Sequence, residues 1–409
     1  MLISEEKKIL TDFIRTVPDY LSGPDRITYI LENIEKLEPQ ERVSLKKLFN
    51  KFLTGMVERE ASDIELGGHG NGGYIWMRVH GTKKRIEEFP QFTVDESTVL
   101  IVNLINANQR KYLGQTRNLD FSYTYFYERR KTDVRFRVDA YFDLDTLAMN
   151  MRAINVDIRP LSSLDFHPNA IRAMNHGYIK FGMSLITGIT GSGKSTTLDA
   201  IIDSHNKVDP CHIVIIASPI EYVHKSNVSI VRHREVGRDV LNFKDGVIQA
   251  LRQDPDIIVI GEMRDPDTIM ASLEVTDTGH KVFSTLHTSS ATESIDRIIA
   301  EVHHSEQERV RNRLADVLIT VVSQKLVPSL DGKRVMAKEV LIVTPSVKAA
   351  IKNNNTSEIY MMINQGGQQG MITLEQDLKR LYLSKKISLD NAIAYANNKT
   401  RIQQILSAA

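Results

Sequence analysis

The spacing of hydrophobic residues changes along the chain and divides it into segments. In residues 1–58 hydrophobic residues recur three or four positions apart, which predicts a helical N-terminal extension. We interpret these positions as packing faces, and a partner-binding helix is the alternative. The pattern is carried by Ile27, Ile30, Leu31, Ile34 and Leu37 and, after Pro39, by Leu45, Leu48, Phe49, Phe52, Leu53 and Met56.

In residues 59–154 hydrophobic and polar positions alternate, which is typical of half-buried strands. A helical stretch around Ser97–Leu113 interrupts them, so a small α+β domain is predicted. Gly68–Gly73 formally fits G-x-G-x-x-G, but a strand follows it rather than a helix, which favours a hairpin connection over a dinucleotide site. The strand candidates are Ser62–Leu66, Tyr74–Val79, Phe121–Phe126 and Val134–Tyr141.

Residues 155–165, which contain Pro160, show no period and are predicted to be a linker. Over residues 166–345 short apolar runs alternate with helical segments, which predicts a parallel sheet covered by helices. Residues 346–409 are predicted to be C-terminal helices, most clearly in Met371–Tyr382 and Ser388–Asn397. The strand candidates of the parallel sheet are Met183–Thr187, Ile213–Ala217, Ile257–Ile260 and Val282–Leu286.

Gly188–Ser195 matches the phosphate-binding pattern G-x-x-x-x-G-K-[ST], known as the P-loop, between a predicted strand and a predicted helix. In such a loop, backbone N–H groups and the helix dipole attract an anionic phosphate. Lys194 can reach the β- and γ-phosphates and Ser195 can ligate Mg²⁺. A nucleoside triphosphate is therefore the expected ligand. The binding candidates are Gly188, Thr190, Gly191, Ser192, Gly193, Lys194, Ser195 and Thr196.

Acidic residues and histidines near the strand ends are candidates for the rest of this site. Glu262 follows the strand Ile257–Ile260, where an acid can serve the metal or the attacking water; a surface acid capping the strand is the alternative. Glu221 follows the preceding strand and could also face the metal. His280 and His287 bracket a third strand, with His287 at its carboxyl end, and on spacing alone core or surface histidines are favoured.

Three arginines, Arg135, Arg137 and Arg152, lie in or just after strands of the first domain. They form either a solvated sheet face or a set of cations offered to a phosphate at a subunit boundary. In the second case an arginine supplied in trans stabilises the charge that develops during phosphoryl transfer. The pattern alone does not choose between the two.

Composition excludes several classes of protein. With 409 residues, 42% hydrophobic and 25% charged, the chain is typical of a soluble globular protein of two or three domains. A net charge of +1 offers no global attraction for nucleic acid, and the single cysteine, Cys211, excludes an intramolecular disulfide and a four-cysteine zinc site. No signal-peptide core opens the chain and no bilayer-length apolar run occurs, so we expect a cytoplasmic protein whose association with a membrane would have to go through a partner.

Several segments in order resemble a known family. They are Ile186–Thr197, Ser218–His224, Arg234–Asp239, Ala250–Asp256, Gly261–Asp265 and Thr278–Thr288. They resemble the secretion-ATPase superfamily of type II and type IV systems, most closely the PilT-type pilus retraction ATPases, from about Ala61 to the chain end. The resemblance implies an α/β fold in which a RecA-like P-loop ATPase domain is preceded by a small PAS-like α+β domain. The helical N-terminal extension and the helical C-terminal tail predicted from the hydrophobic spacing flank these two domains, and the N-terminal extension lies outside the part of the chain that the resemblance covers.

The resemblance also implies a ring hexamer, in which the small domain of one subunit packs on the ATPase domain of the next. Its ligands would be ATP and Mg²⁺. It assigns Ser195 and Glu262 to the metal, Glu262 also to water activation as the Walker B glutamate, Glu221 to the acidic box, His287 to phosphate sensing, and Arg137 and Arg152 to the nucleotide. His280 is kept as a further candidate for binding the nucleotide.

One departure from the family concerns the acidic box, which usually reads Glu-Asp-Pro-Ile-Glu. Here it reads Ala217-Ser218-Pro219-Ile220-Glu221, so Glu221 alone carries it. The leading hypothesis is a motor ATPase for type IV pilus retraction and twitching motility, with a platform protein and possible paralogous ATPases as partners. Alternatives are a pilus assembly or secretion motor, many of which carry a four-cysteine insertion, and a weakly hydrolysing accessory paralogue.

Overall fold

The computed structural model describes residues 3–154 and 158–407, which form two compact units. The first unit contains residues 3–154 together with Ser218–Tyr222 and Gly237–Asp239, and the second contains the other described residues. The predicted linker begins with residues 155–157, which lie outside the described residues.

A six-stranded antiparallel sheet organises the first unit, in the order β3-β2-β1-β6-β5-β4. It confirms the predicted α+β domain, and the connection from β1 to β2 is the hairpin expected for the glycine-rich segment. In chain order the elements are α1 (Ile3–Ile14), α2 (Gly23–Asn33), α3 (Pro39–Glu58), β1 (Ala61–Gly67), β2 (Trp76–Val79), β3 (Thr82–Arg85), α4 (Val94–Val102), α5 (Ala107–Thr116), β4 (Asn118–Tyr127), β5 (Thr132–Asp143) and β6 (Thr146–Ala153).

The single helical stretch predicted around residues 97–113 is in fact two helices, α4 and α5. Each begins with a capping box, in which two side chains satisfy the N–H groups that a helix start leaves unpaired. Thr93 and Glu96 form the box of α4, and Asn106 and Gln109 form that of α5. The second box therefore starts a new helix where the hydrophobic period alone predicted continuation.

The N-terminal helices share one hydrophobic core with the sheet. Phe49 and Phe52 of α3 are each 1% exposed and lie in the same cluster as Phe136 of β5 and Met149 of β6. The ring of Phe49 lies 6.1 Å from that of Tyr123 in an edge-to-face arrangement. Burial of each such ring stabilises the unit by roughly 2 kcal/mol. The interpretation of these helices as packing faces is therefore confirmed.

A seven-stranded sheet organises the second unit, in the order β13-β12-β7-β11-β10-β8-β9, parallel except for the β12–β13 pair. The elements are α6 (Pro168–Met174), β7 (Gly182–Thr187), α7 (Lys194–Val208), β8 (His212–Ala217), β9 (Ile230–Glu235), α8 (Phe243–Ala250), β10 (Ile257–Ile260), α9 (Pro266–Asp277), β11 (Lys281–Leu286), α10 (Ala291–Glu301), α11 (Gln307–Val317), β12 (Leu318–Pro328), β13 (Arg334–Ile342), α12 (Pro345–Lys352), α13 (Ile359–Gln365), α14 (Leu374–Leu383), α15 (Leu389–Tyr395) and α16 (Lys399–Ser407).

The predicted parallel strands all lie in this sheet, and their register places their carboxyl ends together. Thr187 of β7 pairs with Leu286 of β11, and Ile260 of β10 pairs with Ser284 of β11 and with Ile216 of β8. We call this side of the sheet its carboxyl edge. Loops that follow these strands emerge side by side there, which is where ligands bind in open α/β sheets.

The C-terminal helices α14, α15 and α16 form a smaller core with β12 and β13. Leu378, Leu381 and Ile402 are at most 1% exposed and pack with Val327 of β12 and Ala337 of β13. Among the described residues, none of the helices combines the length and the hydrophobicity needed to cross a bilayer.

Candidate functional site

The P-loop lies between β7 and α7, as predicted. Gly188, Gly191 and Gly193 have φ angles of +148°, +78° and +91°, a region that side chains with a Cβ disfavour. A Cβ on Gly188 would lie 2.4 Å from the carbonyl oxygen of Gln324. The loop conformation therefore requires glycine, and it brings the loop to the N-terminus of α7, where the helix dipole favours an anion.

Two side chains of the neighbouring strand β12 form hydrogen bonds with the P-loop and with the end of β7. The hydroxyl groups of Ser323 and Thr187 are 2.7 Å apart, and Nε2 of Gln324 donates to the carbonyl oxygen of Ser192 at 2.8 Å. Both contacts are buried, so they hold the loop in place with little competition from water.

Lys194 supplies the positive charge at the end of the P-loop. Nζ of Lys194 donates to the carbonyl oxygens of Gly188 at 2.7 Å and Ile189 at 3.2 Å. Ser195 and Thr196, in the first turn of α7, are exposed. An ammonium group, a hydroxyl group and a glycine-rich loop at one helix start are the groups that a triphosphate and its metal ion require.

Glu262 lies two residues beyond β10, at the carboxyl edge. Its Oε2 atom is 2.7 Å from Nε of Arg264 and 3.8 Å from Nε2 of His287. The hydroxyl group of Thr285 donates to the carbonyl oxygen of Gly261 at 2.6 Å and so fixes the turn that presents the carboxylate. The side chain is 17% exposed, which leaves it accessible to a water molecule.

His287 directly follows β11, beside β10 and β7. Burial lowers the pKa of His287 below its ordinary value of 6.5, and the positive charges of Lys194, Arg264 and Arg297 lower it further. The imidazole is therefore neutral at pH 7 and can donate one hydrogen bond. Arg297 of α10 also donates to the carbonyl oxygen of His287 at 3.3 Å.

The structure does not bring His280 to this site. His280 precedes Lys281, which pairs with Gly182 at the start of β7. Because β11 has six residues, its two ends are roughly 20 Å apart. His280 instead contacts the hydroxyl group of Thr278 and the carbonyl oxygen of Val275, both at 3.1 Å. Its assignment to the nucleotide is corrected accordingly.

Arg137, Arg152 and Glu221 belong to the first unit. Arg137 of β5 and Arg152 of β6 are direct cross-strand neighbours, so two positive charges face one another. Nε of Arg152 lies 2.7 Å from Oδ1 of Asp63, and Nη1 of Arg137 lies 3.9 Å from Oε1 of Glu221. The side chains of Arg137 and Arg152 are 48% and 68% exposed, which leaves their guanidinium groups accessible to an anion.

Comparison with known proteins decides the family. The model of the family described as type II/IV secretion system protein matches residues 38–405. The chain belongs to this family. Within it the chain is of the PilT type, as relatives that match it over most of its length indicate.

Two of these relatives are named for twitching motility and for pilus retraction. The twitching motility protein of Neisseria gonorrhoeae is 38% identical over 323 residues, which cover 79% of this chain and 84% of the relative. The type IV pilus retraction ATPase PilT of Pseudomonas aeruginosa is 37% identical over 342 residues, which cover 84% of this chain and 96% of the relative. A crystal structure of the pilus retraction motor PilT with bound ADP is 33% identical, with a TM-score of 0.75 over 87% of this chain and 98% of the other.

Three residues near this secretion-ATPase site were not among the sequence candidates: Arg264, Arg297 and Gln324. Arg264 lies inside the motif Gly261–Asp265, two residues after Glu262, so the sequence could have identified it as a neighbour of that residue. Gln324 reaches the P-loop from 132 residues away, and only the sheet order reveals that contact.

Proposed function

We propose that this secretion-type chain is a motor ATPase that couples ATP hydrolysis to type IV pilus retraction. The observation that carries the proposal is the convergence of the P-loop, Glu262 and His287 at one edge of the sheet. The likeness to proteins named for twitching motility and pilus retraction supplies the direction of the force.

In the proposed mechanism the N–H groups of the P-loop and the ammonium group of Lys194 hold the β- and γ-phosphates. Glu262 orients a water molecule for attack on the γ-phosphorus and accepts its proton. The bond between the γ-phosphorus and the bridging oxygen then breaks, giving ADP and phosphate. His287 donates a hydrogen bond to a γ-phosphate oxygen and so distinguishes ATP from ADP.

Mg²⁺ fits the donor set of this edge, since the hydroxyl group of Ser195 and the carboxylate of Glu262 are oxygen ligands. When bound, the ion would neutralise phosphate charge. Glu221 is the remaining acid of the acidic box. Ala217 and Ser218 supply no carboxylate there, so we expect a metal and water shell with fewer acidic groups than in relatives with the full box.

We further propose that the chain works as a homohexameric ring, with Arg137 and Arg152 of one subunit approaching the nucleotide of another. Two adjacent, exposed guanidinium groups repel one another at cross-strand positions. A bound triphosphate would offset this repulsion, because its negative charge would attract both groups. The ring would act in the cytoplasm on an inner-membrane platform protein, together with any paralogous ATPases of the same machine. Nucleic acid is not a proposed partner.

Two experiments test the proposal. The first compares steady-state ATP hydrolysis by the wild-type chain and by Glu262→Ala; equal rates would contradict a hydrolytic motor and favour an accessory ring. The second is deletion of the gene. Cells that are hyperpiliated and do not twitch support retraction, whereas cells without pili indicate an assembly motor.

A further inference from the structure

Two helix N-termini meet at one buried carboxylate in the second unit. Glu339 lies on β13, is 3% exposed, and accepts a hydrogen bond from the N–H of Ala291 at 2.8 Å. The N–H of Leu374 also donates to it. Ala291 and Leu374 are the first residues of α10 and α14. The first N–H groups of a helix have no partner within the helix. Here one such N–H from each helix, together with the positive end of each helix dipole, points at the carboxylate of Glu339.

The first of these helices carries the loop that contains His287. Residues 287–290 connect β11 to α10, and the start of the helix holds this loop. The carboxylate of Glu293 accepts the N–H of Ser289 at 2.7 Å, and the hydroxyl groups of Thr288 and Ser294 are 2.6 Å apart. The position of His287 is thus tied to the position of the first turn of α10.

The C-terminal helices hold the same loop from another direction. Nδ2 of Asn397 donates to the carbonyl oxygen of Ser289 at 3.0 Å, and Oδ1 of Asn397 accepts from Nζ of Lys325 at 2.7 Å. The carboxylate of Glu375 accepts the N–H of Asn398 at 2.9 Å. The loop of His287 is therefore anchored to the C-terminal helices, with Glu339 as the buried charge where α10 and α14 start.

We propose that Glu339 is a positioning residue for His287: as a carboxylate it joins the N-termini of α10 and α14 and thereby fixes the imidazole beside Glu262. This inference rests on the proposed role of His287 in hydrolysis. A residue that only stabilised the fold would change the fraction of folded protein, whereas a positioning residue changes kcat of the folded enzyme and leaves KM for ATP nearly unchanged.

The charge of Glu339 responds to pH near neutrality. Burial raises the pKa of Glu339 to about 7, and the neighbouring carboxylate of Glu375 contributes in the same direction. The N–H groups of Ala291 and Leu374 and the ammonium group of Lys325 act in the opposite direction. As pH falls through about 7 the carboxylate gains a proton and binds the two helix starts more weakly. A fall in kcat over this range is therefore expected for the wild-type ATPase.

The test compares Glu339→Gln with Asp377→Asn in the full-length chain. Asp377 is a matched control because its carboxylate is fully buried on α14 and accepts the N–H of Lys338, the neighbour of Glu339, at 2.9 Å. Glu339→Gln should lower kcat about tenfold, change KM for ATP less than about twofold, and lose the fall in kcat below pH 7. Asp377→Asn should keep the wild-type kcat and pH profile, even if its thermal midpoint falls.

A double-mutant cycle with His287→Ala separates this inference from the proposed function. If Glu339 acts through His287, adding Glu339→Gln to His287→Ala should cause no further loss of kcat. An unchanged kcat in His287→Ala alone would contradict both proposals. A loss in His287→Ala with none in Glu339→Gln would overturn only the inference. Additive losses, or an equal loss of kcat in Asp377→Asn, would overturn it too.

Discussion

Nε2 of His287 lies 3.8 Å from Oε2 of Glu262, although the two residues belong to different strand–loop units. The parallel register of β10 and β11 creates this approach, because Ile260 pairs with Ser284 and both strands end at the carboxyl edge. A carboxylate and an imidazole lie together beside the P-loop. In the proposed mechanism the carboxylate contacts the attacking water and the imidazole contacts the γ-phosphate.

The first prediction concerns Glu262. Glu262→Gln removes the base but keeps the shape, so kcat should fall roughly 10²- to 10³-fold while binding of a non-hydrolysable ATP analogue changes less than about threefold. Asp267→Asn is the control, since Asp267 is an exposed acid of the next helix that pairs with Lys244. Steady-state kinetics and analogue binding measure both effects; comparable losses in the two variants would contradict the role of Glu262.

The second prediction concerns the glycines of the P-loop. Gly188→Ala should destabilise the second unit by about 3 kcal/mol, because the new Cβ would overlap the carbonyl group of Gln324 in a conformation that already disfavours alanine. Gly191→Ala meets nothing within 4 Å and has only its positive φ to overcome, so about 1 kcal/mol is expected. Thermal unfolding without nucleotide measures both, and equal shifts would show that the contact with β12 is unimportant.

The third prediction concerns Lys281, a fully buried lysine on β11 whose Nζ donates to the carbonyl oxygens of Ala173 and Ile179, both at 3.1 Å. Burial lowers the pKa of Lys281 from 10.5 to about 7. Between these values the unfolded chain binds the additional proton, so the free energy of unfolding rises with pH from about 7 to about 10.5. Below pH 7 the cost of the buried charge is present in full, up to about 5 kcal/mol.

Lys281→Met should therefore raise the thermal midpoint at pH 6 to 7, by an amount equivalent to about 2 kcal/mol after the loss of two hydrogen bonds. The gain should shrink towards pH 9. Lys207→Met is the control, because Lys207 is exposed and pairs with Asp203. A gain that did not vary with pH would mean that packing, rather than charge, limits stability at this position.

The fourth prediction concerns Arg137. Arg137→Gln should lower kcat at least tenfold if its charge stabilises phosphoryl transfer. Arg129→Gln, at an exposed arginine paired with Glu58, should not. Mixing Arg137→Gln subunits with Glu262→Gln subunits should restore part of the activity, since some sites would then combine both intact residues. Mixed rings without recovery would indicate that Arg137 does not act in trans.

The sequence predicted β7, β8, β10 and β11 because each is a short apolar run with a strand on each side. It missed β9, an edge strand that is partly exposed. It missed β3, whose four residues Thr82–Arg85 are all exposed and carry no alternation. It also missed β12, which follows α11 without a break, so that the apolar residues of both elements merge. Hydrophobic spacing reflects which side chains are buried. It therefore does not reveal a strand whose side chains are all exposed, or a strand that directly follows a helix.

The candidate site was predictable where the motif itself dictates geometry, as at Gly188 and Lys194. It was not predictable where residues meet through the sheet order, as for Gln324 with Ser192. His280 shows the converse: a position next to a motif residue in sequence can lie a full strand length away in space. The roles of Glu221, Arg137 and Arg152 stay predictions that the proposed variants test.

Three consecutive residues of β12 have a mechanical consequence. Ser323 contacts Thr187 at the end of β7, Gln324 contacts the P-loop, and Lys325 donates to Tyr395 and Asn397, which precede α16. The backbone of an extended strand is close to its maximum length, so β12 cannot stretch to absorb a movement at one of its residues. A displacement of the P-loop that moved β12 would therefore also move the residues between α15 and α16.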